Sequence, residues 1–181
     1  MIATLRLGSL APQHRSRVAE IVRATGVFRD EELSVAMEVL DEGLNGEYEL
    51  LGLFRDVQVP RYARDDKSAQ AQLVGYAAFG PTPNTDRTQD LYWIAVDPAV
   101  QGTGAGSLLL DGVEAAMRDR DARMVVVETS SRSEYDGTRR FYARHGYAEV
   151  ARMREFFAPA DDRVIYTKRL ASPVSGHGVA S

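Results

Sequence analysis

Residues 90–114, DLYWIAVDPAVQGTGAGSLLLDGVE, constrain the fold more than any other part of the chain. Residues 91–96 are apolar without alternation, a pattern that predicts a strand buried on both faces. Asp97-Pro98 marks a turn, and Leu109, Val113, Ala116 and Met117 then recur at helical spacing. Between turn and helix sits the run Gln101-Gly102-Thr103-Gly104-Ala105-Gly106. Its glycines let successive N–H groups face one point, and the start of the following helix adds the positive end of its dipole. Strand, bend and helix together predict a phosphate cradle. A P-loop would close the run with Lys-Ser or Lys-Thr, whereas Gly106 is followed by Ser107-Leu108. A dinucleotide fold would need G-x-G-x-x-G and an acidic strand end farther on; this run is G-x-G-x-G. A plain strand-to-helix turn of small residues would account for the glycines taken alone.

The chain has 181 residues, enough for one domain with a substantial core, and residues 1–171 are read as that domain. Residues 172–181 lack periodicity and read as a disordered tail. The net charge of −4 is scattered along the chain, which predicts neither a nucleic-acid nor a membrane partner. The absence of cysteine excludes disulfides and thiolate catalysis. No apolar run is long enough to span a bilayer and no signal-peptide pattern opens the sequence, so a cytoplasmic location is expected. His14, His145 and His177 have no metal-ligand spacing, and no metal is expected. A helix C-terminus is the expected partner of His145.

Periodicity orders the rest. Residues 3–10 read as a strand, and Pro12 opens a helix ending near Thr25-Gly26 with Val18, Ile21 and Val22 inward. A second helix over 29–42 points Leu33, Met37 and Leu40 inward and is closed by Gly43. Strands are expected over 48–57 and 70–80, with the charged segment 61–70 as an exposed hairpin end and 81–89 as a loop. Residues 124–127 form a buried strand ending at Glu128, parallel to 91–96 through a right-handed crossover. A polar loop over 128–137, a short helix over 138–145 stopped by Gly146, and strands over 147–157 and 164–170 complete the chain.

The central string is similar to the first motif of the GCN5-related N-acetyltransferases (GNAT), V-x-P followed by Q/R-x-x-G-x-G/A. Val96, Pro98, Gln101, Gly104 and Gly106 fall in register. Phe141-Tyr142-Ala143-Arg144-His145-Gly146-Tyr147 resembles the family's other signature, F-Y-x-x-x-G-F. The resemblance implies an α/β (α+β) fold: a mixed, mostly antiparallel central sheet, helices on both faces, and a splayed parallel strand pair. It implies N-acetylation of a primary amine, in a small molecule or at a protein N-terminus, with acetyl-coenzyme A as co-substrate. A homodimer is compatible with it.

For site residues the resemblance implies that Gln101, Gly102, Thr103, Gly104, Ala105, Gly106 and Ser107 hold the pyrophosphate. Backbone N–H groups around Ile94, Ala95 and Val96 would receive the oxyanion. Val27 and Phe28, between the first two helices, would line the acceptor pocket together with Tyr92. Many members carry Asn where this chain has Tyr135, which then either packs on the pantetheine arm or fills the gap.

Tyr142 matches the family's acid. With a tyrosine pKa of about 10 against about 8.5 for a thiol, full proton transfer is uphill by roughly 2 kcal/mol, so hydrogen-bond donation suffices as its role. Two carboxylates are candidate bases. Asp90 aligns with the glutamate of the histone-modifying members, and Glu128 matches the strand-end carboxylate of the ribosomal-protein acetyltransferases after a two-residue shift. An ordinary carboxylate falls about 8 kcal/mol short of stripping an ammonium, so burial or a water relay must assist. Glu128, following a fully apolar run, is the favoured one. A protein that keeps the cradle without the chemistry, an acyl-coenzyme A sensor, is the alternative.

Overall fold

The computed structural model describes residues 4–56 and 71–170. The expected exposed hairpin end at 61–70 and the expected tail at 172–181 lie outside the described residues. The elements in order are β1 (Leu5–Gly8), a 3-10 turn (Pro12–His14), α1 (Arg15–Ala24), α2 (Asp30–Leu44), β2 (Glu49–Asp56), β3 (Ala71–Pro81) and β4 (Thr88–Val96). There follow a 3-10 turn (Pro98–Val100), α3 (Ala105–Asp119), β5 (Met124–Ser130), a 3-10 turn (Ser133–Tyr135), α4 (Asp136–Arg144), β6 (Ala148–Ala158) and β7 (Asp161–Arg169). The strands form one seven-stranded sheet in the order β1-β2-β3-β4-β5-β7-β6. It is mostly antiparallel, with β4 and β5 the parallel pair. Their ladder runs from Thr88↔Met124 to Leu91↔Val127, although β4 continues to Val96 and β5 to Ser130. The residues fall into two compact units: those up to Gly80 with Tyr92–Val113, and Pro81–Leu91 with those from Glu114 onward.

In the first unit α1 buries Val18, Ile21 and Val22, and α2 buries Ala36 and Leu40, against Phe54, Leu73, Tyr76 and Ala95. Each large aliphatic side chain so buried contributes roughly 1.5–3 kcal/mol. Three acids, Asp30, Glu31 and Glu32, open α2, where the helix dipole favours negative charge. Glu32 also accepts from the Arg29 N–H at 2.7 Å. Gly43 does not close α2 as the sequence suggested; it lies inside the helix, which ends at Leu44 and is capped by Asn45. Its role is close approach, since a Cβ there would sit 2.6 Å from a methyl of Leu50. Gly112 does the same for α3, where a Cβ would lie 2.4 Å from Leu7 and 3.1 Å from Leu51. Leu50 and Leu51 are neighbours on β2 and point to opposite faces, so the two glycines seat helices on both sides of this strand.

The second unit is built on Val125, Val127, Val164 and Tyr166, with Met117, Tyr142, Tyr147 and Leu170 also buried. Glu114 is buried on α3, where its partners offset the cost of burying a carboxylate. Lys168 Nζ donates to its two oxygens at 2.7 and 2.8 Å, and Arg118 donates at 2.8 Å. β6 is an edge strand exposing Val150, Met153, Phe156 and Phe157. Its pairing with β7 shifts register beyond Met153, and Glu155 has φ +50°. Irregularity of this kind discourages edge-to-edge pairing.

Several boundaries differ from the sequence reading. β4 starts at Thr88, shortening the expected loop over 81–89. It is not buried on both faces: Leu91 and Ala95 are buried, whereas Tyr92, Trp93, Ile94 and Val96 are half-buried. β5 continues through Glu128 to Ser130, so that carboxylate lies within a strand instead of ending one. α4 begins at Asp136, and Gly146 follows it with φ +81°, the left-handed stop expected.

Candidate functional site

The residues of the expected cradle lie within the first unit. Asp97 turns the chain out of β4: its N–H donates to Val74 O at 2.8 Å, and its carboxylate accepts from Ala99 N at 2.8 Å. Arg17 of α1 locks this turn, pairing with the Asp97 carboxylate while its Nε donates to Leu73 O at 3.1 Å. Gln101 Nε2 reaches back to Val96 O at 3.3 Å, and the Thr103 hydroxyl donates to Val100 O at 2.7 Å. Gly102 and Gly104 have φ of +75° and +89°, the left-handed region that glycine tolerates. A Cβ at either would meet nothing within 4 Å, so conformation and an open outer face, not internal packing, account for these glycines. α3 starts at Ala105, which is buried, so Gly106 and Ser107 already belong to its first turn. Amides of a helix's first turn point outward at the positive end of the dipole, a geometry suited to phosphate. The residues present therefore suit a pyrophosphate.

Just before the cradle, the strand expected to supply oxyanion donors is tightly held. A Cβ on Gly75 of β3 would sit 2.9 Å from Val96 Cγ1 and 3.1 Å from Ala95 O, so only glycine allows this approach. Val27 and Phe28 follow Gly26, which has φ +67°. Phe28 packs on Trp93 with ring centroids 4.9 Å apart, while Tyr92 packs on Tyr48 at 4.6 Å. Two of the three expected acceptor residues, Phe28 and Tyr92, thus belong to different aromatic pairs. Sequence reasoning missed Trp93 and Tyr48, because no local pattern ties either to its partner.

Tyr142 is buried on the inner face of α4, its ring 5.3 Å from that of Tyr147 and 6.2 Å from that of Tyr166. Burial pushes its phenol far above the usual tyrosine range. It therefore keeps its proton at any ordinary pH and suits hydrogen-bond donation better than full proton transfer. His145 Nδ1 lies 2.8 Å from Phe141 O, the helix-end contact expected of it. Tyr135, also buried, ends the turn before α4; its N–H donates to Arg132 O at 3.0 Å, and the Arg132 guanidinium lies 5.1 Å over its ring.

The two carboxylates stand in contrasting surroundings. Asp90 is half-buried on β4 and registered opposite Val126 of β5. Its pKa is raised, first by burial and further by the charge of Glu128; the Thr82 hydroxyl and Arg163 oppose the rise. Glu128 lies two residues after Val126 on the same face of β5. It is ion-paired with Arg163, and its side chain is 41% exposed. Arg163 also stacks over Phe156, 4.8 Å from the ring centre. The sequence had no means of finding Arg163, which arrives from β7.

Among the described residues no cluster of side chains could hold a metal ion, and no helix is long and apolar enough to cross a membrane. A family profile for the acetyltransferase (GNAT) domain matches residues 62–149. A search of curated protein sequences found no match. Solved structures resemble the chain over nearly their whole length. yncA from Salmonella typhimurium, solved with its cofactor acetyl-CoA, has 17% identity and a TM-score of 0.64, over 94% of this chain and 96% of that one. A ribosomal-protein-alanine N-acetyltransferase from Brucella melitensis has 16% identity and a TM-score of 0.65, over 91% and 99%. A crystal structure from Desulfovibrio desulfuricans, assigned to the GNAT acetyltransferases, has 36% identity and a TM-score of 0.76. Since that likeness covers 94% of this chain and 100% of the other, the chain belongs to the GNAT family of acetyltransferases.

Proposed function

We propose that the chain is an N-acetyltransferase that moves the acetyl group of acetyl-coenzyme A to a primary amine, by direct attack in a ternary complex. The observation that carries this reading is the pair of left-handed glycines, Gly102 and Gly104, open on their outer side and leading into the first turn of α3. In this reading the amides of Gly102, Gly104, Ala105, Gly106 and Ser107 hold the pyrophosphate, with Gln101 and Thr103 shaping the loop. Bound acetyl-coenzyme A would supply an activated thioester. Backbone amides of Ile94, Ala95 and Val96 would stabilise the oxyanion, which is where preorganised donors contribute most. Tyr142 would donate a hydrogen bond to the departing sulfur, and Tyr135 would flank the cofactor arm. Val27, Phe28 and Tyr92 would line the acceptor side. Residues 1–171 would act as one catalytic domain, in the cytoplasm, and a homodimer remains compatible.

Asp90 is the better-supported base. A carboxylate with a raised pKa needs less help in taking an ammonium proton, and burial has begun that shift at Asp90. Glu128 is held in an ion pair with Arg163, a partner it would have to leave to take a substrate proton. The ion pair supports the opposite ranking from the one the apolar run before Glu128 suggested.

The test is thiol release from acetyl-coenzyme A across a panel of small amines, amino acids and peptides with free N-termini. Turnover with any amine supports the reading. Tight coenzyme A binding with no turnover on any of them would favour the sensor alternative.

A further inference from the structure

A buried carboxylate that the chemistry above does not use stands at the start of β7. Asp161 is 3% exposed and follows the tight turn at Pro159-Ala160, where Ala160 has φ +62°. From there it reaches the last residue of β5. The hydroxyl of Ser130, 4% exposed, donates to Asp161 Oδ1, and Arg132 Nε lies 3.5 Å from Oδ2. Ser130 Oγ in turn accepts from the Arg132 N–H at 3.0 Å. One residue along, Ser131 and Asp162 exchange hydrogen bonds, N–H to O at 2.9 Å and N–H to Oγ at 2.7 Å. Arg139 closes the arrangement from α4, donating to Ser130 O at 2.5 Å and to Arg132 O at 3.0 Å while pairing with Asp136.

Apart from the Arg139–Asp136 pair, these bonds all end on residues 130–132, the segment that leads into Tyr135. The Tyr135 N–H is bonded to Arg132 O, and its ring lies under the Arg132 guanidinium. A buried carboxylate is costly without partners, and here both oxygens have one, so Asp161 confines Arg132 to a single place. We propose that Asp161 is a positioning residue: through Ser130 and Arg132 it fixes Tyr135 in the orientation that receives the cofactor. The proposal rests on the acetyltransferase reading and on Tyr135 as its cofactor contact.

Asp161→Asn keeps the shape of the side chain and removes its charge, so Arg132 loses its ion pair with Asp161. Free coenzyme A binding is measured by calorimetry for the wild type, Asp161→Asn, Tyr135→Ala and the double variant, all below their unfolding midpoints. Each single variant should bind at least fivefold more weakly, and the double variant should be no weaker than the worse single one, since both remove the same contact. A merely structural Asp161 would leave affinity unchanged in the folded variant or give multiplicative losses, and either result would overturn the proposal. Wild-type affinity in Tyr135→Ala would overturn it as well. If Asp161→Asn does not fold, Ser130→Ala replaces it with the same outcomes. A wild type that binds no coenzyme A would overturn both this proposal and the acetyltransferase reading; binding insensitive to Asp161 overturns this one alone.

Discussion

Arg163 on β7 is ion-paired with Glu128 on β5, 35 residues away in sequence, and the same guanidinium stacks on Phe156. That relationship separates two carboxylates that look alike in the sequence. Glu128 has a fixed cationic partner, whereas at Asp90 burial is the largest influence and raises the pKa.

Asp90→Asn should therefore depress turnover at neutral pH more than Glu128→Gln does. The deficit should shrink in alkaline buffer as the amine sheds its own proton. A pH–rate series on both variants with one accepted amine checks this. A larger neutral-pH loss in Glu128→Gln would restore Glu128 as the base.

The same raised pKa has a consequence for stability. A carboxyl whose folded pKa exceeds its unfolded value binds its proton more tightly in the folded state. Its ionisation then opposes folding, with the penalty growing as pH rises from the unfolded toward the folded pKa and complete above it. Asp90→Asn should raise the melting temperature at pH 7, and the gain should vanish in acid below the ordinary aspartate range. Melting curves across pH decide it; an Asn variant less stable at pH 7 would contradict the burial argument.

Tyr142→Phe should lower kcat roughly 10- to 100-fold, the worth of one hydrogen bond to a developing charge, while coenzyme A affinity stays nearly unchanged. Because burial holds the phenol protonated, the wild-type rate should show no alkaline fall attributable to this residue up to about pH 10. Full activity in Tyr142→Phe would leave it a packing residue.

Gly104→Val forces a β-branched residue to φ +89° and places a side chain on the open face of the loop. Coenzyme A binding should weaken at least tenfold, about 1.4 kcal/mol. Calorimetry on the folded variant is the check, and unchanged affinity would remove the loop from the pyrophosphate.

Gly112→Ala should destabilise the protein by roughly 1–3 kcal/mol through overpacking against Leu7 and Leu51, although alanine is the better helix former by about 1 kcal/mol. Denaturant unfolding measures the balance. A stabilised variant would mean that Leu7 yields at little cost.

What the sequence determined by itself was local. Glycines at 102 and 104, the Asp97-Pro98 turn and the helical spacing from Leu109 follow from backbone dihedral freedom and side-chain period, which neighbouring residues set. So does the short helix carrying Tyr142 before Gly146. Where a glycine is needed for space instead of φ, the local rule misled: Gly43 read as a helix stop, but its place is decided by Leu50 on another element. Tertiary structure alone decided the electrostatics. Arg17 reaches Asp97 across 80 positions, and Asp161 reaches Ser130 across 31. The standing of Asp90 against Glu128 likewise depends on burial and on a guanidinium delivered by β7. Charge interactions act through space and local dielectric, and neither quantity exists until distant strands are brought together.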